Sequence, residues 1–370
     1  MNYIQIPLGM RDIIPEEVDK KRELGSRIES VFQKYGYREI VTPSIEFYQT
    51  YQMAFTELQD QEMYKFFDSE GNILSLRVDM TVPIARVAAS KFKDEPMPLR
   101  FYYNSNVYKV RQSFGGKRSE VTDCGVELIG LDENSDLEVL MCALDTMESF
   151  NSPTYTLEIG NSDFFKTAVS LTSLDKEQSA VLASLIDNKS MVELKEYLSS
   201  LNLKPSEKSF FLQLPLLNGT EECLDQAENI SFSPKLVDVI SRLKQLDKQL
   251  KALGYSHFSF DLGKVPHLDY YTGIIFEGFV EGVGTSVISG GRYDRLLSLF
   301  GLDVPACGFS VKLDYLLDVL APVSKKKIRL YYPLSKQLEA MKQAAALRKD
   351  HIVETVPYQA EDITIEEVAI

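Results

Sequence analysis

The chain has 370 residues, 44% hydrophobic and 25% charged, the balance of a folded chain with room for two or three domains and a sizeable core. Its formal net charge of −14 counts against a nucleic-acid binder, because neutralising phosphates with Lys and Arg drives most of that affinity. No apolar run approaches membrane-spanning length, MNYIQIPLGMRD lacks the regions of a signal peptide, and the four cysteines (Cys124, Cys142, Cys223, Cys307) and three histidines are scattered, which points to a reducing cytoplasm without disulfide or zinc frameworks.

Pro15-Glu16-Glu17 opens a helix, with proline in the first turn and acids at the positive end of the dipole. Leu24, Ile28, Val31, Phe32 and Tyr35 share its apolar face. REIVTPSIEF reads as a strand broken at Pro43. Gly71–Ala89 and Leu99–Gly130 are rich in strand formers, the second segment turning at Gly115-Gly116. Asp136–Phe150 is an amphipathic helix with Leu137, Leu140, Met141 and Leu144 on one side.

Tyr155, Leu157 and Ile159 alternate as in a half-buried strand. From about Ser162 to Gly254 the pattern is helical, broken by LNLKPSEK and SFSPK; Ser233-Pro234 is a helix start and Gly254 a stop. Strands return around Phe258–Leu262, in GIIFEGF and in TSVISGG. After APVSKKK, a hinge, the pattern is strand (IRLYYP), helix (Ser335–Arg348) and strand (HIVETV). A sheet domain over 1–320, interrupted by a helical insertion at 162–254, is thus followed by a small βαβ-like segment at 325–370.

Polar residues within apolar surroundings are the candidates for chemistry. Asp79 and Thr81 lie in LRVDMTVP, Glu127 lies in CGVELIG, and Tyr270 and Tyr271 follow Asp269. An acid in an apolar strand needs a cation. For Glu127 two readings stand: a partner arginine of the same fold, such as Arg77 or Arg86, or the ammonium or imidazolium of a ligand. GGRYD at Gly290–Asp294 reads as a tight backbone crossing with Arg292 in an ion pair, and SFGGKRSE as a hairpin turn without phosphate-loop spacing.

Over Pro7–Leu317 the chain resembles histidyl-tRNA synthetase, a class II synthetase. The resemblance is carried by PLGMRDIIP, YGYREIVTPSIE as motif 1, LRVDMTVPIAR, LRFYYNSNVYKVRQSFGGKRSEVTDCGVELIG as motif 2, LDYYTGIIFEGF, SGGRYDRLL, and PACGFSVKLDYLL as motif 3. It implies an α+β fold: a class II synthetase-like antiparallel sheet flanked by helices, with a helical insertion and a small truncated C-terminal α/β segment. It also implies a histidine pocket, with Asp79, Thr81 and Asp123 on the α-amino group, Glu127 and Tyr271 on the imidazole, and Tyr270 and Tyr293 shaping the wall.

Departures from the pattern fall on the catalytic cations. Ungapped placement puts Lys109 and Arg111 where the synthetase pairs an arginine and a glutamate around ATP. Lysine lacks the bidentate fork suited to phosphate. Motif 3 ends in Asp314-Tyr315 where an acid and an arginine are expected, and Pro266 stands where an arginine neutralises the carboxylate. Phosphoryl chemistry depends on positioned positive charge, so the expectation is no catalytic residues, no cofactor and no metal. The segment after Lys325 is also shorter than the family's anticodon-binding domain, so tRNA reading is not expected.

These features resemble the synthetase-like paralogues that act as regulatory subunits of ATP phosphoribosyltransferase in histidine biosynthesis. That resemblance implies a cytoplasmic, non-catalytic subunit, a homodimer within a hetero-octamer with the short-form catalytic subunit, and L-histidine as allosteric effector, sensed either in this pocket or at the interface with the catalytic subunit. The alternative is a divergent active histidyl-tRNA synthetase, supported by Lys109 and LDYY.

Overall fold

The first helix, α1 (Pro15–Lys34), begins on proline, carries Glu16 and Glu17 in its first turn, and ends at Lys34 before Gly36, whose φ is +79°. Leu24, Ile28 and Phe32 are buried, and Val31 and Tyr35 pack beside them, which is the apolar face read from the sequence. The computed structural model describes residues 5–55, 60–110, 118–265, 271–320, 326–359 and 361–369. Arg111, Pro266, His267, Asp269, Tyr270 and the Gly115-Gly116 turn lie outside the described residues.

Pro43 does separate two short strands, β1 (Arg38–Glu39) and β2 (Ile45–Phe47). There follow α2 (Tyr48–Ala54), β3 (Lys65–Phe67) and β4 (Ile73–Leu76). The expected strand across Gly71–Ala89 stops at Leu76, and α3 (Thr81–Lys91) replaces its second half. Pro83 sits in the first turn of α3, where a backbone N–H has no helical partner in any case. Val82, Ile84, Ala85 and Ala88 then bury one side.

β5 (Leu99–Tyr108) and β6 (Glu120–Ile129) pair antiparallel over ten residues. Next come α4 (Asp136–Glu148) and β7 (Tyr155–Asn161). The helical stretch comprises α5 (Ser162–Ser170), α6 (Lys176–Asp187), α7 (Met191–Ser200), α8 (Pro205–Gln213), a short β8 (Asn218–Gly219), α9 (Glu221–Ile230) and α10 (Pro234–Ala252). Ser233 precedes α10 in an extended conformation without a side-chain cap bond, and Gly254 (φ +92°) follows its end. The chain continues with β9 (Phe258–Asp261), β10 (Ile274–Val280), β11 (Ile288–Arg292), β12 (Ala306–Lys312) and α11 (Leu313–Leu316).

Nine of these strands form one sheet in the order β1-β5-β6-β12-β11-β10-β7-β9-β8. Its centre is antiparallel; β1 joins β5, and β9 joins β7, in parallel. The helical stretch contributes β8 to the sheet edge, and its Phe164, Phe210, Leu224 and Ile240 share one core with Leu157 and Phe276 of the strands. A separate three-stranded sheet has the order β2-β4-β3.

The chain forms two compact units, Met1–Asp12 with Leu24–Leu320, and Ile13–Glu23 with Ala321–Ile370. In the second unit β13 (Lys326–Tyr332), α12 (Gln337–Leu347) and β14 (Val353–Pro357) form the expected βαβ path. A further strand, β15 (Thr364–Ala369), pairs antiparallel with β13 and completes a three-stranded sheet. Its core is small: Leu330, Tyr332, Ala340, Ala344 and Val353. Among the described residues no helix is long and apolar enough to cross a membrane.

Candidate ligand pocket

Strand pairing sets one wall of a cavity of about 550 Å³. Gly308 lies opposite Glu127, Ser310 opposite Gly125, and Lys312 opposite Asp123. Because side chains alternate faces, Asp123 and Glu127 of β6 and Ser310 and Lys312 of β12 all line the cavity, as does Gly308. Glycine is required at position 308 by close approach: a Cβ there would stand 2.1 Å from Glu127 Oε2 and 2.3 Å from the Val126 carbonyl oxygen. At Gly291 a Cβ would meet the Tyr271 ring at 2.9 Å.

Glu127 is 1% exposed. It accepts a hydrogen bond from Thr81 Oγ1 at 2.8 Å and another from the Tyr293 hydroxyl. The arginines suggested as its partners are engaged elsewhere. Arg86 pairs with Glu46 at 2.6 Å, and Arg77 donates to the Thr42 and Asn106 carbonyl oxygens at 2.8 and 2.7 Å. Among the described residues Glu127 therefore has hydroxyl partners and no cation, and burial pushes its carboxyl up to about 8, partly offset by the Tyr293 and Thr81 hydrogen bonds.

Asp79 precedes α3, and its Oδ1 accepts from the Val82 N–H at 3.4 Å. Burial raises it to about 7, against the attraction of Lys109 and Lys312. Near neutral pH the cavity thus offers two carboxyls held by desolvation on the edge of ionisation. A ligand bringing an ammonium or a nitrogen heterocycle supplies the missing positive charge or donor.

Six of the seven expected site residues line this one cavity: Asp79, Thr81, Asp123, Glu127, Tyr271 and Tyr293; Tyr270 is outside the described residues. Thr81, expected on the amino-group side, donates to Glu127, and Tyr293 bonds Glu127 as well as lining the cavity. Tyr271 is tied down by its backbone: its carbonyl accepts from Lys166 Nζ at 2.6 Å and from Ser162 Oγ at 3.3 Å.

Sequence reasoning missed Lys312, Ser310, Tyr103 and Arg118, which also line the cavity. Counting in twos from Gly308 would have found the first two. Lys109 and Tyr315 line the cavity as well. The Arg118 guanidinium lies 6.0 Å from the Tyr315 ring centroid, 3.9 Å from Asp314 and 3.5 Å from Asp318. Asp314 also accepts the Thr122 N–H at 2.5 Å.

Within GGRYD, Tyr293 belongs to the cavity while Arg292 is structural. Arg292 bonds Asp136 from Nε (2.8 Å) and Nη2 (2.5 Å), and also reaches Asp294, Ser135 and the carbonyls of Leu131 and Asp132.

Comparison with known proteins agrees with this architecture. The family described as "Histidyl-tRNA synthetase" matches residues 9–316. A Clostridium kluyveri protein named "ATP phosphoribosyltransferase regulatory subunit" is 34% identical over 98% of this chain and 96% of its own. One of the same name from Acetivibrio thermocellus is 36% identical over 96% of this chain and 85% of its own. A crystal structure from Bacillus halodurans, titled as an ATP phosphoribosyltransferase regulatory subunit/histidyl-tRNA synthetase, superposes with a TM-score of 0.87 at 32% identity, covering 97% of this chain and 94% of that one. With its class II sheet, its acid-lined cavity and relatives matched over nearly its full length, the chain belongs to the histidyl-tRNA synthetase family and, within it, to the ATP phosphoribosyltransferase regulatory subunits.

Proposed function

We propose that the chain is a non-catalytic regulatory subunit that associates with the short-form ATP phosphoribosyltransferase catalytic subunit, is required for its activity, and confers feedback inhibition by L-histidine. The observation that carries this reading is the lining of the cavity, where Glu127, Asp79, Asp123, Tyr271 and Tyr293 meet. Tyr315, which by the resemblance stands where motif 3 has an arginine, lines the same cavity, and the Arg118 guanidinium beside it faces Asp314 and Asp318. In this reading a site that binds an amino acid and lacks that arginine is a sensor.

In this reading Asp79 and Asp123 take the α-ammonium, Glu127 and Tyr271 the imidazole, and Thr81, Tyr293 and Tyr270 orient Glu127 and close the wall. The synthetase-like core of 1–320, with 162–254 inserted, carries the pocket. The subunit works in the cytoplasm as a homodimer inside a hetero-octamer, without cofactor or metal. The test is phosphoribosyl-ATP formation by the short catalytic subunit, alone and with this chain, across a histidine series. Activity and histidine inhibition should both require the chain; full activity and full inhibition without it would overturn the proposal.

A further inference from the structure

Resting on the reading of the cavity as a histidine site, we infer that Lys312 receives the ligand's α-carboxylate and makes the site selective for the zwitterion. An α-amino acid carries an ammonium and a carboxylate on one carbon, so its pocket needs an acid and a cation side by side. Asp123 and Lys312 are that pair. They face each other across β6 and β12, with Lys312 Nζ 3.3 Å from Asp123 Oδ1, a separation loose enough for a ligand's opposite charges to take over both partners. The Lys312 side chain is 30% exposed and that of Asp123 8%, and both line the cavity.

Position along the sheet supports the same assignment. Lys312 and Asp123 lie four residues from the Gly308 and Glu127 pair on their strands, about 13 Å at roughly 3.3 Å per residue. Glutamate reaching in from one end and lysine from the other leave a gap suited to an imidazole, a methylene and an α-carbon. Lys312 also acts on Asp79, so acids and cation share one local field. Of the other lining cations, Arg118 is turned to Asp314 and Asp318. Lys109 also acts on Asp79 and is the rival for the role.

The experiment is calorimetric titration of the full chain, alone and with the short catalytic subunit, using L-histidine and L-histidinol, which differ only in carboxylate against alcohol. The wild type should prefer histidine by about ten- to a hundredfold, the worth of one charged hydrogen-bonding partner. Lys312→Met should lose that preference by weakening histidine alone, and Lys312→Arg should keep it, with thermal unfolding checked for each. Equal binding of the two ligands by the wild type overturns the inference without needing any variant. So does an undiminished preference in Lys312→Met, or its loss in Lys109→Met instead; in these cases the histidine site itself still stands. If the wild type takes up neither ligand in either state, the histidine site fails and the inference with it.

Discussion

Burial lifts the Glu127 carboxyl to about 8 and Asp79 to about 7, whereas both titrate near pH 4 in an unfolded chain. Between about pH 4 and about pH 8 the folded protein therefore holds protons that the unfolded chain has released, and stability contributed by these groups is lost as pH rises through that window. Glu127→Gln, shaped like the protonated acid, should flatten the loss and be more stable than the wild type at about pH 8, by on the order of 1–3 kcal/mol. Urea unfolding across pH checks this, and parallel profiles for the two proteins would contradict it. In ligand binding the sign reverses. Glu127→Ala should weaken histidine by about 1–3 kcal/mol, and Tyr271→Phe by less, because only one hydroxyl is lost; calorimetry showing unchanged affinity in both would place the effector outside this cavity. The acid was visible in CGVELIG because charge in an apolar strand is costly. Its hydroxyl partner Tyr293, 166 residues away, was nameable only through the family resemblance.

Strands and helices were legible where one face is buried and the other wet. Alternation in TYTLEIG marked β7, and helical spacing marked α1 and α4. α3 was misread because Thr81-Val82-Pro83 looks like a strand end, while the helix is decided by Ile84, Ala85 and Ala88 packing inward. Sheet order was not legible, since pairings such as β6 with β12 and β8 with β9 join residues distant in the chain. Arg292 of GGRYD, by contrast, declared its own purpose: it ties β11 to the start of α4 through Asp136, buried with it. Arg292→Met should strand the Asp136 carboxylate and cost about 3–5 kcal/mol, seen as a lowered urea midpoint. A cost below about 1 kcal/mol would mean that water replaces the guanidinium.

For the whole molecule, a pocket proposed to bind an amino acid without reacting it has consequences only through a partner. Histidine-dependent pyrophosphate exchange should therefore stay at background, and a clear signal would restore the synthetase reading. Activation follows a stricter logic. If association with the short catalytic subunit favours that subunit's active conformation, histidine inhibits only by binding the inactive state of the complex more tightly, since a ligand of equal affinity for both states shifts nothing. Reciprocity then fixes a second observable: ATP and phosphoribosyl pyrophosphate must weaken histidine binding to the complex by the factor by which histidine weakens theirs. Couplings of this kind usually amount to about 1–3 kcal/mol, or roughly 5- to 150-fold. Histidine titrations of the complex with and without saturating substrates measure one side, and substrate titrations with and without histidine the other. Lys312→Met should leave the substrate affinities of the histidine-free complex unchanged and shift the inhibition curve to higher histidine, because it alters the effector's binding and not the two conformations it chooses between. Unequal factors in the two directions would show that the binding equilibria do not close, and an unshifted curve would take the carboxylate role from Lys312 while leaving the site itself standing.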